Sequence, residues 1–145
     1  MSRSIQCDIV SIDSTLFSNA VQHIVVTASQ GDMGIYPGHA PLLAFLKPGI
    51  ARLVKDDGSE EVLYISGGFL EVQPHKVTVL ADFAERAGEL DEEEALAAKQ
   101  HAQEHLGDSS SDLDHARALK ELNEAVARLR AIEMNRREGR FVDNN

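Results

Sequence analysis

The chain opens on a period of two. In Arg3-Ser4-Ile5-Gln6-Cys7-Asp8-Ile9 the apolar Ile5, Cys7 and Ile9 alternate with polar residues, which is the pattern of a half-buried strand. Residues 21–28 predict another strand. Residues 49–55 and 60–66 flank Asp56-Asp57-Gly58-Ser59, a hairpin signal because such a turn needs positive φ. Gly67-Gly68 interrupts, Phe69-Leu70-Glu71-Val72 resumes, and Pro74-His75-Lys76 turns the chain into Val77-Thr78-Val79-Leu80. About eight to ten short strands at this spacing predict a sandwich or barrel.

Near residue 86 the period changes. Residues 86–134 hold ten alanines and neither aromatic nor proline, so they favour helix. The first helix opens at Leu90-Asp91-Glu92-Glu93-Glu94, with Asp91 as cap and Glu94 completing a capping-box pattern. Ala95, Ala98, Ala102 and Leu106 fall on one face. Residues 107–112 break the helix. A second helix, from about 115 to 135, carries Leu119, Leu122, Val126 and Leu129 as its apolar seam. The short connection implies an antiparallel hairpin. The fold class is therefore α+β: a β domain over residues 1–86, a helical hairpin over 87–138 and a tail over 139–145.

Composition narrows the function. The 145 residues carry 24 acids and 14 bases, a net charge of −10. That surface repels phosphate backbones and has no polybasic membrane patch, so neither nucleic-acid binding nor direct membrane insertion is expected. No apolar run approaches 18 residues, and the first twenty residues have no signal-peptide pattern. One cysteine excludes an internal disulfide. Charge divides within the hairpin: residues 89–114 carry nine acids and one base, residues 117–140 four acids and seven bases. The first helix is thin in apolar side chains, so the hairpin should be weakly held.

Candidate chemistry is sparse. His101-Ala102-Gln103-Glu104-His105 matches the inverted zinc-peptidase spacing, but no third ligand or enzyme-sized domain accompanies it, so no metal is expected there. Cys7 sits on the alternating apolar face, as a structural thiol does. No Walker loop, dinucleotide fingerprint or nucleophile elbow is present. Neither catalytic residues nor a cofactor are expected.

One loop stands apart. Gly31-Asp32-Met33-Gly34-Ile35-Tyr36-Pro37-Gly38-His39-Ala40-Pro41-Leu42-Leu43 predicts a long structured loop that buries Ile35 and Leu42 beside an exposed His39. This string closely resembles the signature of the epsilon subunit of bacterial F-type ATP synthase. Lys47-Pro48-Gly49, Tyr64-Ile65-Ser66-Gly67-Gly68-Phe69-Leu70-Glu71-Val72, Val77-Thr78-Val79-Leu80-Ala81-Asp82 and Arg128-Leu129-Arg130 resemble it in order and spacing.

The resemblance implies a flattened sandwich of about ten strands at the foot of the central stalk, bound to the gamma subunit and the c-ring. It implies a hairpin that moves between a compact form and an extended form inserted among the alpha and beta subunits, where it blocks ATP hydrolysis. It implies a peripheral position on the cytoplasmic face of the bacterial inner membrane. Asp32 and His39 match c-ring-facing positions, and are expected together on an exposed end of the sandwich, away from the hairpin. Arg128, Arg130, Arg136 and Arg137 are expected to meet acidic residues of the catalytic head. Some members bind ATP through [IL]-D-x-x-R-A at the first helix start. Here Leu90, Asp91, Glu94 and Ala95 occupy that motif with Glu94 in place of the arginine, so poor ATP binding is expected.

Overall fold

The computed structural model describes the backbone of residues 3–108 and 111–143, and the side chains of residues 3–108 and 111–137. Eight strands come first: β1 (Ile5–Val10), β2 (Thr15–Ala28), β3 (Gly31–Ile35), β4 (Leu42–Lys55), β5 (Glu60–Ile65), β6 (Gly68–Gln73), β7 (Lys76–Ala81) and β8 (Ala84–Arg86). A single 3-10 turn, Ala87–Glu89, leads to α1 (Glu92–Asp108) and α2 (Asp112–Asp143).

Eight strands make ten strand segments, because β2 and β4 each serve two layers. The first half of β2 pairs with β1, which pairs in parallel with β7; β6 follows, and then Leu42–Leu46 of β4. The second half of β2 pairs with β3 on one side and with β4 on the other; β4 continues through β5 to β8. β4 changes layer at Lys47-Pro48, where the proline has no N–H to give a ladder. Gly49 follows because a Cβ there would lie 2.3 Å from Cβ of Thr27. Thr27 Oγ1 in turn accepts the Ile50 N–H at 3.2 Å, so the crossing is a fixed corner.

The core lies between the two layers. Ile5, Cys7 and Ile9 are fully buried, as their alternation predicts, and meet Ile24, Leu53, Leu63, Leu70, Val77 and Val79. Burying each such side chain contributes about 1.5–3 kcal/mol. Two segments depart from the sequence reading. Thr15 to Ala20 is strand, although exposed Ser18 and Asn19 blur its pattern. The signature loop begins as strand: Gly31–Ile35 is β3, paired with β2 from Ala28↔Gly31 to Ile24↔Ile35, and only the residues after it form the loop. Ile35 is buried within it and Leu42 half-buried.

The hairpin is antiparallel and starts as predicted. Asp91 Oδ1 accepts the N–H groups of Glu93 at 3.0 Å and Glu94 at 3.3 Å. Ser109 and Ser110 of the predicted breaker lie outside the described residues. α2 is longer than predicted, 32 residues or about 48 Å. Its backbone runs through Gly139 into the segment read as tail, since no proline stops it.

The predicted leucine seam is corrected. Leu119 and Val126 are 43% and 44% exposed, whereas Ala118, Ala125, Ala127 and Ala131 are buried. On α1 the buried residues are Ala95 and Ala102, while Ala98 is exposed. Ala102 and Ala118 are equidistant from the interhelical turn, and so are Ala95 and Ala125. The helices approach on these small side chains, so Leu119 and Val126 turn outward while Leu122 and Leu129 stay half-buried.

Candidate functional site

The hairpin docks on one face of the sandwich only. Ile50 of β4 and Val62 and Tyr64 of β5 point outward from the second layer and meet Ala87, Ala127 and Ala131, with Leu90 and Met134 partly buried beside them. β5 is therefore apolar on both sides: Leu63 and Ile65 face the core, Val62 and Tyr64 face α2. Tyr64 is the largest fully buried side chain. Burial pushes its phenol up to about 12, against the opposing pull of Arg128. Among the described residues no hydrogen-bond partner reaches its hydroxyl. Such an orphan costs about 1–3 kcal/mol while the hairpin is docked, and undocking would hydrate it.

The four arginines singled out in the sequence are all held by the chain itself. The Arg128 guanidinium lies over the Tyr64 ring, 4.7 Å from its centroid. Arg130 pairs with Asp32 at 3.4 Å. Arg136 donates to Glu92 of α1 at 2.6 Å and lies 3.8 Å from Glu133. Arg137 donates to Glu133 at 3.4 Å. The Glu92–Arg136 pair joins the acidic helix to the basic one, as the charge division suggests.

Asp32 is not where it was expected. It is the second residue of β3 and faces the hairpin through Arg130, beside a cavity of about 450 Å³ lined also by Lys47, Pro48, Asn123 and Val126. His39 lies past the opposite end of β3. Its ring Nδ1 is 2.7 Å from the Ala40 carbonyl, and the neighbouring Gly38 N–H donates to Pro74 at 2.7 Å. The rest of β3, from Asp32 to Ile35, separates the two by about 10 Å of strand. They do not form a pair, and Asp32 is not remote from the hairpin. The two ends of β3 diverge because its ladder with β2 keeps it extended.

Leu90, Asp91, Glu94 and Ala95 do come together. With Phe83, Glu85, Glu89, Ala98 and Arg128 they line a cavity of about 280 Å³ at the start of α1. Four carboxylates face one guanidinium, and that guanidinium is already stacked on Tyr64. The cavity disfavours a polyphosphate. Cys7 is buried in the core, and burial together with the adjacent Asp8 pushes its thiol up to about 12, so no thiolate forms near neutrality.

The opposite face of the sandwich is bare. Phe45 of β4, Phe69 of β6 and Leu80 of β7 stand side by side across three paired strands, all exposed, with Leu43 nearby. The Phe45 and Phe69 ring centroids are 4.7 Å apart. Sequence reasoning missed this row, because β6 and β7 taken alone each show one outward apolar residue, and the pairing that adds Leu43 and Phe45 of β4 joins distant segments. It also missed the Asp32–Arg130 pair, whose members are 98 residues apart.

Residues 4–87 match the family model for the ATP synthase Delta/Epsilon chain beta-sandwich domain, and residues 89–133 match that for the Delta/Epsilon chain long alpha-helix domain. Among solved structures, a chain of the Euglena gracilis mitochondrial ATP synthase OSCP/F1/c-ring assembly superposes with a TM-score of 0.79. It is 23% identical, over 86% of this chain and 78% of that one. A chain of the Tetrahymena thermophila mitochondrial ATP synthase central stalk and c-ring superposes at 0.62 with 14% identity, over 90% of this chain and 98% of that one. Both halves of the fold, in this order, are those of one family: the chain belongs to the ATP synthase delta/epsilon chain family, a non-catalytic stalk subunit of that rotary complex.

Proposed function

We propose that this subunit couples c-ring rotation to ATP synthesis at the foot of the central stalk, and restrains ATP hydrolysis through its hairpin. The observation that carries the regulatory part is the dock. The hairpin is held to the sandwich by a cluster of six buried residues, three of them alanines, around a tyrosine with an orphan hydroxyl. That is a contact able to open at modest cost.

The bare row of Phe45, Phe69 and Leu80 supports the gamma subunit as the partner of the other face, since an apolar patch on a stalk subunit marks a protein interface. Asp32 and His39 are proposed as separate c-ring contacts. Asp32 then has two claimants, the c-ring and Arg130. Once the hairpin lifts, Arg128, Arg130, Arg136 and Arg137 exchange their own-chain partners for acidic residues of the alpha and beta subunits. The subunit is peripheral at the cytoplasmic face of a bacterial inner membrane. Among the described residues no helix is long and apolar enough to cross one.

The test uses the reconstituted enzyme with the full chain or a chain ending at Arg86, which keeps every strand and the Arg86–Glu61 pair. ATP hydrolysis should rise with the short chain while proton pumping stays coupled. Unchanged hydrolysis would remove the inhibitory role, and lost pumping would show that the sandwich does not couple alone.

A further inference from the structure

At the turn end of the hairpin, His101, His105 and Asp108 share one face of α1, and Asp114, Ala118 and Glu121 share one face of α2. Together with Arg117 they line an open cavity of about 370 Å³. The two imidazoles are one helical turn apart, and their Nε2 atoms are 3.1 Å apart. Their rings are tilted by 54° with centroids at 4.3 Å. A metal ion at the usual zinc–imidazole distance of roughly 2.0–2.1 Å from both nitrogens would see them at an angle of about 100°, between octahedral and tetrahedral values. The pair therefore already has the bite of a chelate. Three carboxylates around the cavity outnumber its one guanidinium and favour a cation.

We propose that His101 and His105 bind a first-row transition-metal ion of the zinc–nickel–copper group, for which imidazole is a preferred ligand. Among the described residues no third His, Cys, Asp or Glu converges with them, so water fills the remaining positions and the site is open. One Nε2 now serves as donor to the other; binding moves that proton to Nδ1 and presents two lone pairs. Both ligands belong to α1, so occupancy stabilises its last turns and does not depend on the role proposed for the hairpin.

The experiment is calorimetric titration of the full chain, without an affinity tag, with Zn2+ in a non-coordinating buffer. One site per chain is expected. His101→Gln and His105→Gln should each weaken it at least about tenfold, since even outer-shell partners of a ligand are worth that much. His39→Gln should leave it unchanged. With Cu2+, paramagnetic resonance should show coupling to two imidazole nitrogens. A parent chain without binding, a double His101→Gln/His105→Gln variant that titrates like the parent, or a Cu2+ spectrum without that coupling would overturn the proposal.

Discussion

The sandwich core and the hairpin dock share a strand, and they are built differently. β5 sends Leu63 and Ile65 into the core and Val62 and Tyr64 into the dock. Around the core stand branched aliphatics from six other strands, all fully or nearly fully buried. Around the dock stand Ile50, three alanines and two partly buried side chains. A methyl group buries a fraction of what a leucine buries. The difference teaches that the core is built to persist, while the dock is built so that it can open at lower cost, as the proposed function requires.

The largest effect should come from the core. Leu63→Ala removes a fully buried side chain and should cost about 2–5 kcal/mol, read as a lower urea midpoint for the sandwich. Next comes the dock. Ala131 has no exposed surface there, so Ala131→Glu forces a charge into a closed contact. Hydrogen exchange along α2 should rise to that of a free helix while the urea midpoint of the strands stays put. If strands and hairpin lose protection together, the two bodies are one cooperative unit and the comparison fails.

Alkaline pH separates the same two regions through one buried acid in each. Cys7 in the core and Tyr64 in the dock are both raised to about 12, from ordinary values of 9.0 and 10.0. A raised native pKa means that the folded form holds its proton longer. The stabilisation is full below the ordinary value and is lost as pH climbs from about 9 towards 12. Cys7→Val should flatten the alkaline loss of sandwich stability. Tyr64→Phe should flatten that of docking, and should not weaken docking at neutral pH, because the hydroxyl it removes has no partner among the described residues.

Smaller still is the Asp32–Arg130 pair. Both side chains are about half exposed, so Asp32→Asn should shift docking by less than about 1 kcal/mol and the shift should vanish in high salt. If Asp32 also meets the c-ring, the same substitution should alter assembly onto the ring more than it alters docking. The smallest effect is none: low-millimolar ATP should give no calorimetric heat with the isolated subunit, because Glu94 stands among four carboxylates in the α1 cavity.

Much of the fold is legible in the sequence because burial on one side of a strand writes a period of two, as Ile5, Cys7 and Ile9 do. Residues 62–65 of β5 read as a continuous apolar run because they are covered on both sides. The helix cap at Asp91 is local chemistry and is equally plain. The seam was misread for a physical reason: alanine contributes little to apolar periodicity, yet it is what lets two helices come close. The motif around Leu90 and Glu94 is contiguous, so its acidic character is legible, whereas Phe83 and Arg128, which complete the cavity, come from elsewhere in the chain. Asp32 and Arg130 meet only where α2 docks beside β3, and Phe45 meets Phe69 only through the pairing of β4 with β6, contacts that no local pattern encodes.

The corners of β2 and β4 have a mechanical consequence. Each strand runs unbroken from one layer into the other, and the two pair with each other where they cross. Sliding one layer over its neighbour would stretch covalent backbone at two places, whereas apolar packing alone resists shear only softly. Under a twisting load the strands turn as a single block. Compliance is left to the short segment between Arg86 and Glu92, the one place where the chain passes from that block to the helices.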